Sequence, residues 1–500
     1  MPMTVDSTLR SHAKRQPSKA AVRTADRTIT YAELDTSVTC LGRHLLDRGL
    51  RPGDRVAIHW SNSVQTVQLL LAALRAGLIA VPINLRLKAP EIAYIFEHSS
   101  TRICFSEPAL AAVAEEASSG GNPEIVTQLP AHTTNSGPLP ELDPGQPTVI
   151  LYTSGTTARP KGVTHTHRTL LATALLWESL PTGPDDNVLV MTPLAHAMGL
   201  TTVLTALHQG ATATVLRTFD PAAALDLIER FRCSHIGGVP AMLQFVVEEQ
   251  SRRPRDLSSI RHAGAGGDTV SAALQRRFQD VFGIQLREGY GLTESCPVSF
   301  NSLGDIRIGS VGPPAPGVEL RLVDRHSHDV PAGETGEILV RSSANCVGYW
   351  NDPDATARLF EDGWLHTGDL ASRDEDGYYW FKGRLKQLII RGGSNISPQE
   401  VEEALHQHPA VLEAGVVGAP HPIFGEVPMA GVALRAGHLV NEDQLRAHAR
   451  TLLADYKVPA RIFFLPELPK GLTGKVDRRS LRDILVAKPD LLQQRVVSGV

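Results

Sequence analysis

The stretch LYTSGTTARPKGVTHTH, from Leu151 to His167, sets a run of serine, threonine and glycine close before a lysine, Lys161. Such a run disfavours a helix, because serine and threonine compete for backbone hydrogen bonds and glycine costs conformational entropy. It also lacks apolar alternation beyond Tyr152, so we do not expect a strand to continue through it. Hydroxyls and backbone N–H groups that end in a cation are suited to holding phosphate groups.

The composition excludes some classes of partner. A chain of 500 residues with 42% hydrophobic and 20% charged residues is expected to form a globular protein of more than one domain. Its net charge of -4 provides no basic surplus for nucleic acid. A local cluster of cations remains compatible with one small polyanionic ligand.

Cysteine usage and hydropathy predict a cytoplasmic protein. The five cysteines are far apart and form no CxxC pair, which is typical of a reduced protein without structural zinc. The N-terminus lacks the apolar core of a signal peptide. The most apolar stretch, Leu69–Ile83, is broken by Arg75, Gly77 and Pro82, so we predict no membrane span.

Strands and helices alternate over the first half of the chain. Arg55–Trp60 and Thr148–Thr153 have the pattern of buried strands, and Ser63–Gly77 has that of a helix ended by glycine. This alternation predicts an α/β fold with a largely parallel sheet. We expect the polar segment Ser118–Pro147 to be a surface excursion.

In the second half of the chain the predicted secondary-structure pattern changes at two points. Short strands with glycine turns between about Gly304 and Phe381 predict a small β-rich subdomain. A helix is then expected over Pro398–His406 and a strand near Val416. This last portion, of about 110 residues, is large enough to form a separate domain.

Other interpretations of the opening stretch are weaker. It does not have the glycine spacing of a Walker P-loop, and the chain contains no G-x-S-x-G nucleophile elbow. Gly264–Val270 is only faintly similar to a dinucleotide loop. Taken alone, the stretch could equally be a linker.

The stretch resembles the phosphate loop of the adenylate-forming superfamily, which includes acyl-CoA ligases, peptide-synthetase adenylation domains and luciferases. The family pattern is TSGTTGxPKG, from which this chain departs only at Ala158. Further segments are similar to family motifs and follow in the family's order: PLAHAMGL (193–200), REGYGLTES (287–295), DGWLHTGDL (362–370), GYYWFKGRLKQLIIRGGSNISPQEVEEAL (377–405) and DYKVPARIFFLPELPKGLTGKVDRRSL (455–481). The resemblance extends from about Thr8 to Leu485 and is nearest to stand-alone acyl-CoA ligases.

The resemblance implies an architecture and a reaction. The fold is expected to be α/β, with a large N-terminal domain of mixed α/β sheets and a β-rich subdomain, followed by a small mobile α+β lid domain. The domain bounds would be 1–383 for the N-terminal domain, 384–388 for the hinge and 389–500 for the lid. A carboxylate would attack the α-phosphate of ATP in the presence of Mg²⁺, and coenzyme A would take the acyl group from the resulting acyl-adenylate.

The resemblance also assigns residues to the nucleotide. The residues expected to hold the β- and γ-phosphates are Thr153, Ser154, Gly155, Thr156, Thr157 and Lys161. The residues expected around adenine and ribose are Gly289, Tyr290, Gly291, Asp369 and Arg384.

Catalytic roles are implied for residues from both domains. Glu294 would bind Mg²⁺, Thr293 would contact the α-phosphate, and Lys475 would bridge the carboxylate and the α-phosphate. His196 would gate the entrance for acid and thiol. Lys386 would be the pivot of the hinge.

After the lid rotates, Gly392 and Gly393 would leave room for the pantetheine arm of coenzyme A. His165 and His167 have metal-like spacing, but they follow the phosphate loop and open a helix. We therefore interpret these two histidines as structural.

The acid itself is not specified by these motifs. The residues expected to line its pocket are His196, Met198, Val239, Gly264, Gly289, Cys296, Pro297 and Val298. Most of them are small or apolar, which favours a hydrophobic carboxylic acid. Arg261 and Arg287 lie near enough in the sequence to leave a diacid open.

Three alternatives to an acyl-CoA ligase share the fold. An acyl-AMP ligase would load an acyl carrier protein in place of coenzyme A, although the chain ends at Val500 without a carrier domain. A luciferase-like oxygenase and a nucleotide-binding relative without catalysis also share the fold. Homodimers are common among relatives.

Overall fold

The computed structural model describes residues 4–118, 120, 122–130, 137–153, 159–177, 182–392, 394–471 and 474–487. Its N-terminal part contains two large sheets and a smaller one, and its C-terminal part contains a fourth sheet. This arrangement confirms the predicted α/β class, the β-rich subdomain and the separate C-terminal domain.

The first sheet has seven strands and carries the opening stretch at one side. In sheet order they are β17 (Gly348–Tyr349), β8 (Lys161–Thr166), β7 (Pro147–Thr153), β4 (Ile79–Pro82), β3 (Arg55–His59), β5 (Thr101–Ser106) and β6 (Glu124–Val126). The strands from β7 to β6 are parallel, whereas β8 runs antiparallel to β7.

The second sheet has eight strands. In order they are β14 (Ser295–Phe300), β13 (Leu286–Leu292), β12 (His262–Ala265), β11 (His235–Gly238), β9 (Asn187–Val190), β10 (Thr212–Val215), β1 (Ala20–Arg23) and β2 (Thr28–Thr30). Only its outermost pairs, β13 with β14 and β1 with β2, are antiparallel. The carboxyl ends of its parallel strands therefore meet at one edge, where α/β proteins bind ligands.

Two smaller sheets complete the chain. The subdomain sheet contains β15 (Glu319–Val323), β16 (Thr335–Arg341), β19 (Trp364–Arg373), β18 (Phe360–Glu361) and β20 (Tyr379–Arg384). The C-terminal sheet contains β22 (Ser394–Ile396), β21 (Ile389–Arg391), β24 (Gly425–Leu434), β23 (Val411–His421) and β25 (Arg461–Phe464).

The helices cover these sheets. They are α1 (Val5–Arg15), α2 (Tyr31–Asp47), α3 (Val64–Arg75), α4 (Ala89–Ser99), α5 (Ala111–Ala117), α6 (His167–Leu176), α7 (Ala197–His208), α8 (Pro221–Phe231), α9 (Pro240–Arg252), α10 (Ala272–Phe282), α11 (Pro353–Leu359), α12 (Pro398–His406), α13 (Glu442–Leu452) and α14 (Arg478–Ala487). Short 3₁₀ turns occupy Pro108–Leu110 and Leu385–Gln387. None of the described helices is long and apolar enough to cross a membrane.

The largest core lies between the first two sheets. It joins strand residues such as Val56 and Ala213 from the two sheets to side chains of α2, α3 and α7. Helix α3 is buried almost all round for this reason. Its start is capped by the Ser63 side chain, and Gly77, with φ +69°, turns the chain into the next strand.

Two strands differ from the sequence prediction. The segment Ser118–Pro147 is not wholly a surface excursion, because Glu124–Val126 adds an edge strand to the first sheet. The chain after the phosphate loop does not pass directly into a helix either. It first forms the strand Lys161–Thr166, in which His165 lies, and only His167 opens α6. Pairing with β7 accounts for this strand, and such pairing is not visible in a short polar sequence.

Candidate active site

The stretch predicted to bind phosphate connects two antiparallel strands. Thr153 at the end of β7 pairs with Lys161 at the start of β8. The ammonium Nζ of Lys161 lies 4.5 Å from the centre of the Tyr349 ring. The remaining predicted phosphate residues, Ser154, Gly155, Thr156 and Thr157, lie outside the described residues, as does Ala158.

Thr293 and Glu294 form the turn between β13 and β14, in which Leu292 pairs with Ser295. The hydroxyl of Tyr349 donates a hydrogen bond of 2.8 Å to Glu294 Oε1. Buried His165 donates from Nε2 to the Thr293 carbonyl oxygen over 2.8 Å. The turn is thus held from both sides, and His165 has the structural role that its sequence context predicts.

The surroundings of Glu294 fit a cation. Burial raises the pKa of this carboxyl above its usual value, although the Tyr349 hydroxyl opposes the shift. A bound cation would remove that penalty, and a single carboxylate with phosphate oxygens and water is a usual set of ligands for Mg²⁺. No group of three or more acidic, histidine or cysteine side chains suited to a metal occurs among the described residues. A dedicated protein cage for the metal is therefore not formed by the described part of the chain.

Tyr290, predicted to stack on adenine, contacts the predicted ribose residues. Tyr290 donates from its hydroxyl to Asp369 Oδ2 over 2.6 Å, and Arg384 Nε lies 3.0 Å from Asp369 Oδ1. Asp369 and Arg384 are also paired across β19 and β20. Burial raises the pKa of Asp369 despite the nearby positive charges of Arg384 and Lys475. Each Asp369 oxygen retains acceptor capacity for a hydroxyl group.

Lys475 lies in the same place, although it comes from the C-terminal domain. Burial lowers its pKa, and the negative charges of Asp268 and Asp369 oppose that shift. A cleft of ≈ 950 Å³ is lined from the N-terminal domain by Gly289, Tyr290 and Asp369 and from the C-terminal domain by Lys475. The arrangement of the two domains therefore brings Lys475 to the predicted nucleotide residues.

The predicted acyl pocket begins at α7. His196 precedes this helix, and its Nε2 accepts a hydrogen bond of 2.9 Å from Asn84. A side chain built on Gly267 would meet Met198 Cε and Val239 Cγ1, each at 3.5 Å. Met198 and Val239 thus face the same glycine-rich segment after β12.

The other predicted pocket residues are distributed along β12, β13 and β14. A Cβ atom on Gly289 would lie 3.1 Å from Phe300 Cβ, and one on Gly291 would lie 3.1 Å from Cys296 Sγ. Gly264 faces open space, with nothing within 4 Å of a Cβ atom built on it. Pro297 is buried next to Cys296, and Val298 is packed into a core with Phe300.

The residues predicted for the hinge and for the thiol passage are found in two different settings. Lys386 lies in the 3₁₀ turn Leu385–Gln387 and lines the cleft. Gly392 lies in an exposed turn with φ +56°, and its N–H donates to the Phe424 carbonyl oxygen over 2.8 Å. Gly393 lies outside the described residues.

Sequence reasoning missed two residues of this site. Tyr349 connects Lys161 to Glu294, and the only signal for it is an aromatic residue after a glycine, Gly348, shortly before the segment DGWLHTGDL (362–370). Asp268 lies in the segment Gly264–Val270, which was weighed only as a dinucleotide loop. It lines the cleft, and its charge stabilises the ammonium of Lys475.

The geometry suits the attack of one anion on another. Lys475 and Asp369 line the cleft from the two domains, and Lys161 and Glu294 both contact Tyr349 of the N-terminal domain. Positioning and neutralisation of charge are the main means by which proteins accelerate reactions at phosphorus.

The profile of the AMP-binding enzyme family matches residues 9–350, and that of the AMP-binding enzyme C-terminal domain matches residues 400–475. Sulfoacetate–CoA ligase from Cupriavidus necator is 36% identical, over 94% of this chain and 95% of that protein. Fatty acid–[acyl-carrier-protein] ligase ScoC from Streptomyces coeruleorubidus is 34% identical, over 96% of each chain. The crystal structure of the anthranilate CoA ligase AuaEII with anthranoyl-AMP superposes with a TM-score of 0.91 at 29% identity, over 97% of this chain and 98% of that one.

The two profiles together span the N-terminal and C-terminal domains, and the similar proteins are matched over nearly their whole length. The reaction class is that of an ATP-dependent acyl-CoA ligase, which uses Mg²⁺ and coenzyme A and proceeds through an acyl-adenylate. The chain belongs to the AMP-binding enzyme family.

Proposed function

We propose that the residues of the cleft divide the ligase reaction between them and that the acid has a largely apolar body. In the first half-reaction a carboxylate oxygen attacks the α-phosphorus of ATP, and pyrophosphate leaves. In the second, the thiol of coenzyme A loses its proton and attacks the acyl carbon, and AMP leaves. The observation that carries the division of roles is the position of Lys475, a C-terminal residue within the cleft that contains Tyr290 and Asp369.

In the first half-reaction the charges of the ligands must be neutralised. Lys161, with the loop that precedes it, holds the outer phosphates, and Lys475 lies between the carboxylate and the α-phosphate. Thr293 contacts the same phosphate. Glu294 would hold Mg²⁺, which would supply further neutralisation of the phosphate oxygens.

Tyr290, between Gly289 and Gly291, packs on adenine. Its hydroxyl and the Arg384 guanidinium fix the carboxylate of Asp369 for the ribose. Since Asp369 is 3% exposed, water competes weakly for these oxygens. Asp369 is thus held in one position for the ribose hydroxyls.

The second half-reaction requires a different arrangement of the domains. We place the boundary between them at residues 384–388, with 1–383 and 389–500 on either side and Lys386 as pivot. Rotation about this turn withdraws Lys475 and brings Gly392 and Gly393 to the cleft, where the pantetheine arm passes. The exposed position of Gly392 in the present arrangement supports such a rotation.

The specificity for the acid depends on the predicted acyl pocket, which includes Met198, Val239 and His196. Met198 and Val239 face glycines rather than polar side chains, which supports an apolar or aromatic acyl body. His196 stands at the entrance, where it contacts Asn84. The acids named for the similar proteins are sulfoacetate, fatty acid and anthranilate. They differ widely and do not indicate whether the acyl group is aliphatic or aromatic.

Coenzyme A is the acceptor that the family comparison supports, and an acyl carrier protein is the alternative, because one similar protein is named for that acceptor. Release of pyrophosphate and AMP without a CoA thioester, and with loading of a carrier protein, would favour the alternative. The five cysteines form no disulfide, which supports a reducing compartment such as the cytoplasm. A homodimer stays a prediction.

Substitution of Lys475 tests the assignment. In Lys475→Ala we expect pyrophosphate exchange into ATP to fall by about 100-fold or more, because an anion would then approach another anion without the cation. Formation of the thioester from synthetic acyl-AMP and coenzyme A should stay within about twofold, because Lys475 has no part in that step.

Lys470→Ala is the matched control. This residue lies on the same segment, but its ammonium is already paired with Glu413. Undiminished pyrophosphate exchange in Lys475→Ala, or an equal loss in Lys470→Ala, would contradict the assignment. Binding of ATP without pyrophosphate release by the wild-type protein, with any acid, would instead indicate a nucleotide-binding protein without catalysis.

A further inference from the structure

Arg287 is a buried cation without a counter-ion among the described residues. It lies on β13, two residues before Gly289, and is 7% exposed. Its Nε is buried without a hydrogen-bond partner, and none of the described carboxylates forms an ion pair with its guanidinium. Burial lowers its pKa to about 10, so the group still carries its charge at neutral pH.

The two other deeply buried arginines of the described chain each form ion pairs with carboxylates. Arg75 is paired with Asp6 and Asp35, and Arg255 is paired with Asp226 and Glu249. This is the usual state of a buried charge, because an unpaired one loses its hydration without compensation. Arg287 therefore calls for an anion that the described protein does not supply.

The neighbours of Arg287 do not meet this need. The charge of Arg287 acts on His235 and His262, whose rings lie 4.5 Å apart between centres. Burial lowers the pKa of His235 to about 4, so this ring is neutral at pH 7. Asp186 also faces the two histidines, but its Oδ1 is taken by the Arg261 guanidinium and the Ser234 hydroxyl, and its Oδ2 accepts from the Gly183 N–H.

The sheet face that carries Arg287 has a gap at Gly264. Arg287 pairs with Gly264 on β12, and side chains at paired positions of parallel strands point to the same side. A Cβ atom built on Gly264 would meet nothing within 4 Å. The strand position paired with Arg287 thus leaves space that a ligand can occupy.

The predicted acyl pocket includes residues of the same two strands. Gly264 and Gly289 belong to the pocket proposed above, and Gly289 directly precedes Tyr290 of the nucleotide site. At about 3.3 Å per residue, Arg287 lies roughly 7 Å further from the nucleotide along β13 than Gly289 does. His235 and His262, on which its charge acts, are paired at the amino ends of β11 and β12, away from the carboxyl ends where the ligand is expected.

We propose that the acid activated by this enzyme carries a second anionic group, a carboxylate or sulfonate, at the end remote from the reacting carboxylate, and that Arg287 binds it. The inference rests on the proposed function of the cleft and names the substrate class of that site. The apolar side chains of Met198 and Val239 contact the body of the acid, and the guanidinium receives its far end.

The test compares acids of equal length with and without the distal charge. Pyrophosphate release is measured with the dicarboxylates from succinate to suberate, with their ω-sulfonate counterparts and with the monocarboxylates from butyrate to octanoate. For the best dianionic acid we expect kcat/KM at least about 10-fold above that of its matched monocarboxylate. In Arg287→Met the value for the dianionic acid should fall by about 100-fold, while that for the monocarboxylate stays or rises.

Two further measurements separate binding from folding. Arg287→Met removes an uncompensated buried charge, so its Tm should not fall below that of the wild type. Arg261→Met is the matched control, because its exposed side chain is paired with Asp186, and it should leave the ratio of dianionic to monoanionic acids unchanged.

The outcomes are distinct. Equal use of matched acids by the wild type, or an unchanged ratio in Arg287→Met, would overturn the role of Arg287 and leave the ligase reaction standing. A lowered Tm together with an unchanged ratio would make Arg287 a structural residue. Failure of every acid in both series to release pyrophosphate would overturn the proposed function, and this inference with it.

Discussion

Three charged residues of the predicted site, Glu294, Asp369 and Lys475, have pKa values shifted toward neutrality, and these shifts predict the pH dependence of the first half-reaction. Burial raises the pKa of Glu294 and of Asp369, and both act as carboxylates, so they are lost by protonation sooner as the pH falls. Burial lowers the pKa of Lys475, which acts as an ammonium, so its charge is lost sooner as the pH rises. We expect a bell-shaped profile of kcat/KM for ATP, with both limbs nearer to neutral pH than the free side chains would give.

The variant Lys475→Arg tests whether Lys475 causes the alkaline limb of this pH profile. A guanidinium stays protonated throughout the accessible range, so Lys475→Arg should move that limb to higher pH even if the rate falls. The profile is measured as pyrophosphate release at limiting ATP and saturating acid. An alkaline limb at the same pH in both proteins would show that another group titrates there.

At this scale the sequence predicted the residues better than their partners. Tyr290, Asp369, Arg384 and Lys475 were all found by motif, and the structure brings them to one cleft. The hydrogen bond from Tyr349 to Glu294 was missed, because it depends on a strand pairing between residues that are far apart in the chain. Arg287 was noted in the sequence, but only its burial without a carboxylate distinguishes it from Arg261.

Among the elements, the two-residue strand β17 matters most for the site. It pairs with β8 and so places Tyr349 beside Lys161 and Glu294. Gly348 has φ +130°, and a Cβ atom on it would lie 2.5 Å from Thr356 Cγ2. In Gly348→Ala we expect a loss of stability of about 2 kcal/mol, from strain and contact together. Pyrophosphate release should also fall, by about 10-fold, because Tyr349 is displaced.

Gly377→Ala provides the comparison. Gly377 also has positive φ, +86°, but a Cβ atom on it would meet nothing within 4 Å. This variant should lose about 1 kcal/mol of unfolding free energy through backbone strain alone and keep its activity. Thermal unfolding and initial rates are measured for both. A loss of activity in Gly348→Ala no greater than in Gly377→Ala would separate β17 from the function of Tyr349.

Elements with local signals were predicted well. Ser63 and Gly77 set the bounds of α3, and Pro398–His406 is the helix that the sequence predicts. Strands β6 and β8 were not predicted, because each is completed by hydrogen bonds to a neighbour in the sheet. Local propensity contains no information on such pairing when the segment is short and polar.

For the whole molecule, the order of the domains follows from the sequence but their arrangement does not. Side chains across the interface determine which residues of the C-terminal domain enter the cleft. Arg435 Nη1 lies 3.2 Å from Glu248 Oε1 on α9, and the Ala272 N–H donates to Glu403 Oε1 on α12 over 3.3 Å. These contacts stabilise the arrangement in which Lys475 reaches the nucleotide residues.

Loss of one contact should therefore act on one half-reaction only. A half-buried ion pair contributes about 1 kcal/mol, so Arg435→Ala should slow pyrophosphate exchange by roughly fivefold. Thioester formation from synthetic acyl-AMP should be equal or faster, since the proposed rotation breaks this pair in any case. Arg321→Ala, which loses a pair with Asp329 inside the subdomain, should change neither rate. Salt screens this pair because both side chains are partly exposed. Added salt should therefore narrow the difference in pyrophosphate-exchange rate between the wild type and Arg435→Ala. Equal slowing of both half-reactions would mean that the pair stabilises the fold as a whole and does not select between two positions of the lid.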